Sequence, residues 1–101
     1  MKKILPNQLQ KKLNEVNVLF SKGNIEASEN ILNELITSFP SHPEVLSKLG
    51  TIYLFKDRLN DGITLIKKSL DVNPHQPDVL NNYAVALLNT NQSKQALDII
   101  N

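Results

Sequence analysis

Ser41, His42 and Glu44 are, by type, the ingredients of a nucleophile, a base and an orienting carboxylate, and His42 and His75 are the only imidazoles in the 101-residue chain. A catalytic triad needs three side chains that converge on one carbonyl, which neighbours in a single short segment do not achieve. Neither histidine has a second histidine or a cysteine at metal-ligand spacing, so both read as exposed loop residues. Gly23, Gly50 and Gly62 are scattered and form no phosphate-cradling loop. Cysteine is absent, which removes a thiolate nucleophile, a thiolate metal site and a disulfide framework. The expectation is a chain with no catalytic residue, no metal and no cofactor, whose work is to hold something.

Charge narrows what it holds. Eleven basic residues against ten acidic ones leave a formal charge of +1, too little to attract phosphate backbones or anionic lipid. Ten of the eleven are Lys, which lacks the planar fork that reads phosphate and base edges; only Arg58 carries it. Nucleic acid and membrane are therefore not expected partners. The cluster Lys2, Lys3, Lys11 and Lys12 reads as a solvated helix face or as a contact for an acidic partner. The opening residues hold two apolar side chains before Pro6, short of a signal-peptide core, and no run reaches membrane-spanning length. A cytoplasmic address is expected.

The elements that must position these side chains are marked by proline. Pro6, Pro40 and Pro74 recur at intervals of 34 residues, and Pro43 and Pro77 repeat the interval three residues later. A period of that length denotes supersecondary units that bury their apolar faces only by stacking. Helical segments are predicted over 7–21, 24–38, 43–56, 59–72, 77–90 and 93 to the end. Apolar spacing supports this: Leu9, Leu13, Val16 and Phe20 in the first, Leu46, Leu49, Ile52 and Tyr53 in the third. Polar turns fall at Lys22-Gly23-Asn24, Lys56-Asp57-Arg58 and Thr90-Asn91-Gln92, again one period apart. Pro43 and Pro77 suit first helical positions, Glu44 and Asp78 suit first turns, and Ser41 with Glu44 has capping-box spacing. Pro40 and Pro74 punctuate the ends of the preceding helices.

The second unit reads Leu46-x2-Leu49-Gly50-x2-Tyr53, then Gly62-x3-Ile66, then Pro74, and resembles the tetratricopeptide repeat with its spacings intact. Leu replaces the usual Trp at residue 46, and Gly replaces Ala at 62, where a small side chain lets the paired helices approach. The third unit continues with Leu80, Tyr83, Ala84, Leu87, Ala96 and Ile100; the first, with Lys12, Glu15, Val16, Leu19, Ser28, Leu32 and Pro40, departs most, as a polar terminal cap would. The resemblance implies an all-α solenoid of helical hairpins stacked as a right-handed superhelix. It divides one domain, 1–101, into repeats at about 7–40, 41–74 and 75–101. The last is read as stopping within its second helix, which suggests a longer bacterial protein. Gly23 with the Ile25–Leu32 helix and Ser41–Glu44 is also similar to the tetratricopeptide segments that precede bacterial transferase domains. That similarity implies a recruiting segment with its chemistry downstream.

In tetratricopeptide stacks the first helix of each repeat lines the concave face, so the resemblance implies a peptide groove. Its candidates are Gln10, Asn14, Asn17 and Ser21, then Glu44, Ser47, Lys48, Thr51 and Phe55, then Asp78, Asn81, Asn82, Val85 and Asn89. Asn14 and Asn82 share a slot with Lys48 between them, and their amides could bond the backbone of an extended peptide. The alternative, that Asn is simply the commonest residue of that slot across the family and contributes solvation, is the leading reading. Phe55 is either an apolar anchor for a ligand or a packing residue. The slots of the carboxylate clamp found in chaperone-binding members hold Leu13, Asn17, Lys48, Asp78 and Asn82; Asp78 would repel a carboxylate. The expected partner is a protein or peptide, with homo-oligomerisation through Leu87, Leu88, Leu97, Ile99 and Ile100 as an alternative.

Overall fold

In the computed structural model, residues 3–89 are described, the side chain of Asn89 excepted. They form five α-helices: α1 (Pro6–Ser21), α2 (Ile25–Ser38), α3 (Pro43–Phe55), α4 (Leu59–Val72) and α5 (Pro77–Asn89). Each helix packs on the next, and α5 returns to touch α3. The first helices of the three predicted units thus share one side of the stack. The expected segment from residue 93 lies outside the described residues, as does the turn at 90–92.

Proline opens α1, α3 and α5 alike, where an amide hydrogen would have no helical partner. Pro6 therefore does the work of Pro43 although it is in numerical phase with Pro40, and α1 gains a turn at its start. The expected capping box at Ser41 and Glu44 does not form. His42 is the N-cap of α3, and no side chain caps that end. With Pro43 at the first helical position, Glu44 stands at the second, one residue short of the place from which a box closes.

The two turns within hairpins are alike in detail. Gly23 has φ 77° and Asp57, 34 residues later, has φ 59°. In each, the residue after it donates its N–H to a carbonyl five positions back: Asn24 to Leu19 and Arg58 to Tyr53, both at 2.9 Å. The left-handed residue itself donates three back, to Phe20 and to Leu54. This is the Schellman closure, which favours glycine.

Leu13, Val16, Leu32, Leu35, Val45, Leu49 and Ile52 form one buried cluster spanning the first two units. Leu49 is buried in it, whereas Glu15, in the same slot one unit earlier, is exposed, as expected of a polar outer unit. Ile4 joins the cluster from outside the helices, its N–H donating to Ser38 Oγ at 2.9 Å. Between α3 and α4 two glycines meet. A Cβ on Gly62 would lie 2.8 Å from the Gly50 carbonyl oxygen, and a Cβ on Gly50 would lie 3.0 Å from that of Gly62. A polar knot ties α4 to α5 and α3. Ser69, fully buried, donates to the Pro43 carbonyl at 2.6 Å, and the Gln76 amide donates to the carbonyls of Ser69 and Asn73 at 3.2 and 2.7 Å.

Candidate peptide-binding trough

The side of the stack formed by α1, α3 and α5 holds a cavity of about 250 Å³. Val16, Phe20, Ile52 and Val79 supply its apolar lining, and Asn17, Ser21, Ser47, Lys48, Thr51, Asp78 and Asn82 its polar lining. A second cavity of about 160 Å³ is lined by Thr51, Leu54, Phe55, Leu59, Asn82, Val85 and Ala86. Thr51 and Asn82 belong to both, so the two are compartments of one trough. Phe20 and Phe55, one from each compartment, meet edge to face with centroids 5.3 Å apart and planes at 72°.

Local chemistry fixes what the rim offers. Thr51 Oγ1 donates to the Ser47 carbonyl at 2.9 Å and Ser47 Oγ to the Glu44 carbonyl at 3.2 Å, so both hydroxyls have spent their protons within α3 and face the trough as acceptors. Lys48 Nζ stands 3.6 Å from Glu44 Oε2, one turn earlier on the helix. Asp78 and Asn82 are exposed on α5, and neither has a side-chain hydrogen bond or ion pair among the described residues.

Of the residues expected in the groove, Asn17, Lys48, Thr51, Asp78 and Asn82 line the larger compartment, with Ser21 and Ser47, and Phe55 and Val85 line the smaller. Glu44 touches the site through Lys48. Asn14 and Asn81 are exposed but line neither compartment, and Asn14 Oδ1 accepts from Gln10 Nε2 at 3.0 Å. The side chain of Asn89 is outside the described residues. Phe55 packs on Phe20 and is still 67% exposed. Leu13 is fully buried in the core, so the slot it fills in a carboxylate clamp does not face the trough. Sequence spacing missed Val16, Phe20, Ile52 and Val79 as lining residues of the larger compartment, because all four carry the helical apolar pattern that otherwise marks core.

Outside the trough, charges brace the turns. Lys56 Nζ is bound to Glu29 Oε1 at 2.7 Å and lies 3.8 Å from Glu26, pinning the end of α3 to α2. The hydrogen bond that Lys56 donates to Glu29 raises the Lys56 pKa above its usual value. Arg58 bonds Asp61 at 2.8 and 3.0 Å and stacks 4.2 Å above the Tyr53 ring; the bond to Asp61 raises its pKa. The histidines differ from expectation. His75 is exposed, but His42 is half-buried, and its Nδ1 is buried without a hydrogen-bond partner. No cluster of potential metal ligands occurs among the described residues. No helix among them is long and apolar enough to cross a membrane. Of the apolar residues expected to drive self-association, Leu87 is buried, Leu88 is exposed, and the other three lie outside the described residues.

Residues 65–98 match a tetratricopeptide-repeat family model. No curated protein matches the chain in sequence. Among solved structures, MamA from Desulfovibrio magneticus RS-1 superposes with a TM-score of 0.80 at 18% identity, over 94% of this chain and 54% of that one. A double mutant of MamA from RS-1 gives 0.80 and 18%, over 94% and 53%. A further MamA crystal structure gives 0.80 at 14% identity, over 93% and 55%. The chain thus spans about half the length of the structures it matches. One tetratricopeptide repeat is thus matched at 65–98, and the five described helices have the solenoid fold of the MamA structures.

Proposed function

We propose that the chain is a protein- or peptide-binding module that works through the trough of α1, α3 and α5. One observation carries this reading: three successive first helices each contribute apolar and polar side chains to a single recess of about 250 Å³. That volume is below the roughly 300–1,000 Å³ of a drug-sized ligand pocket, and it suits an anchoring side chain of a larger partner. The rim supplies hydroxyl acceptors and free amides for the partner's backbone. A second copy of this chain falls within the same partner class. The recruiting-segment alternative changes what is tethered to the trough, not how the trough binds.

The test is a footprint. Peptides selected from a random display library against the folded chain are titrated into isotope-labelled protein, and amide shifts are mapped. Perturbations concentrated on α1, α3 and α5, and lost in the Lys48→Ala, Phe55→Ala, Asn82→Ala triple variant, support the trough. Perturbations confined to α2 and α4 overturn it.

A further inference from the structure

We infer that the trough selects a segment carrying a lysine or arginine beside a large apolar side chain, the cation meeting Asp78 while the apolar group enters the larger compartment. This rests on the trough being a peptide site and specifies what it takes. The apolar demand comes from Val16, Phe20, Ile52 and Val79, which line one recess.

The charge demand comes from three ionisable side chains. Lys48 and Asp78 line the recess, and Glu44 stands 3.6 Å from Lys48 Nζ, so the only cation there among the described residues already faces a carboxylate. Asp78 has no ion-pair partner among the described residues. The positive end of the α5 dipole, about half an elementary charge, offsets part of its charge but not all. Lys56 and Arg58 are committed to Glu29 and Asp61 and line neither compartment. The local sum is therefore negative. An incoming carboxylate would have to draw Lys48 from Glu44 and lie beside Asp78, whereas an incoming ammonium or guanidinium replaces only water. Asn82, unpaired among the described residues and bordering both compartments, can bond the peptide group that crosses between them.

The experiment uses the 101-residue chain and three fluorescein-labelled, end-capped nonapeptides with one Leu/Phe core, flanked by Lys, Gln or Glu. Anisotropy is read at about 50 mM and about 500 mM NaCl, below and above the ionic strength at which an exposed pair is screened. The expected order is Lys tightest and Glu weakest, about two- to fivefold per step at low salt and converging at high salt, the scale of exposed ion pairs. Asp78→Asn removes the advantage of the Lys peptide. Asn82→Trp, a large group on an exposed position across both compartments, removes binding of all three, with circular dichroism confirming that each variant is folded. A Glu-first order, or an order unchanged by Asp78→Asn, overturns the charge inference while the loss in Asn82→Trp still supports the peptide site. Binding that survives Asn82→Trp, or no binding by any of the three, overturns the peptide site itself.

Discussion

Replacing Gly62 with alanine asks whether contact between two glycines sets the spacing of α3 and α4. The new methyl would sit 2.8 Å from the Gly50 carbonyl oxygen and 2.7 Å from Leu54 Cδ2. The leucine end can rotate away; the carbonyl is held in its helix. Carbon–oxygen contacts settle near about 3.3 Å, so the helices must part by about 0.5 Å. Overpacking of this kind costs about 1–3 kcal/mol, and the better helix propensity of alanine returns about 0.5–1 kcal/mol. The expected net loss is about 1–2 kcal/mol. Gly50→Ala meets the same gap from the other side, with its methyl 3.0 Å from the Gly62 oxygen and 3.2 Å from the Ile66 nitrogen. Because both methyls press on one separation, the double variant should cost less than the two singles together, by about 0.5–1 kcal/mol. Thermal unfolding followed by circular dichroism reads each single change as a fall in Tm of about 4–15 °C. A rise in Tm for Gly62→Ala, or single costs that simply add, would refute the reasoning.

The matched left-handed turns predict opposite effects of opposite exchanges: Asp57→Gly should stabilise by about 0.5–1 kcal/mol, and Gly23→Ala should destabilise by about 1 kcal/mol. Urea unfolding of the two variants checks this, and a loss of stability in Asp57→Gly would contradict it. His42 occupies the slot of Gln76, which donates to the carbonyls of residues 69 and 73; their counterparts one unit earlier are those of Leu35 and Phe39. His42→Gln should therefore replace a buried unpaired nitrogen with a bonded amide and raise stability by about 1 kcal/mol, read as a higher urea midpoint at an unchanged slope.

The spacing of proline and of polar turns located every described helix to within a residue or so, because those residues act through the backbone within a turn of where they stand. Pro6 belongs to one series by its number and to the other by its chemistry, an absent amide hydrogen at the first helical position. The capping box at Ser41 failed on a register of one residue, which type and spacing alone do not resolve. Seven groove candidates gathered in one compartment because repeat slots carry the side of the helix with them. Asn14 and Asn81, on the same helices, missed it because a few tens of degrees around the axis decide lining from mere exposure. Nothing local announced the Ser69–Gln76 knot or the buried nitrogen of His42, and the close approach expected at Gly62 did not name Gly50 as its partner. Each depends on which helix lies opposite, and that is a property of the stack.

The sharing of Thr51 and Asn82 by both compartments bears on how the chain unfolds. A solenoid held by neighbour contacts alone can fray from either end, its outer units opening before the middle one. A ligand lying in the trough touches α1, α3 and α5 together, so opening any one unit forfeits part of the binding energy. Occupancy would thus act as a clasp across units that are otherwise joined only in series, making the partly independent units that carry α1, α3 and α5 unfold as one and linking capture of a partner to the rigidity of the stack.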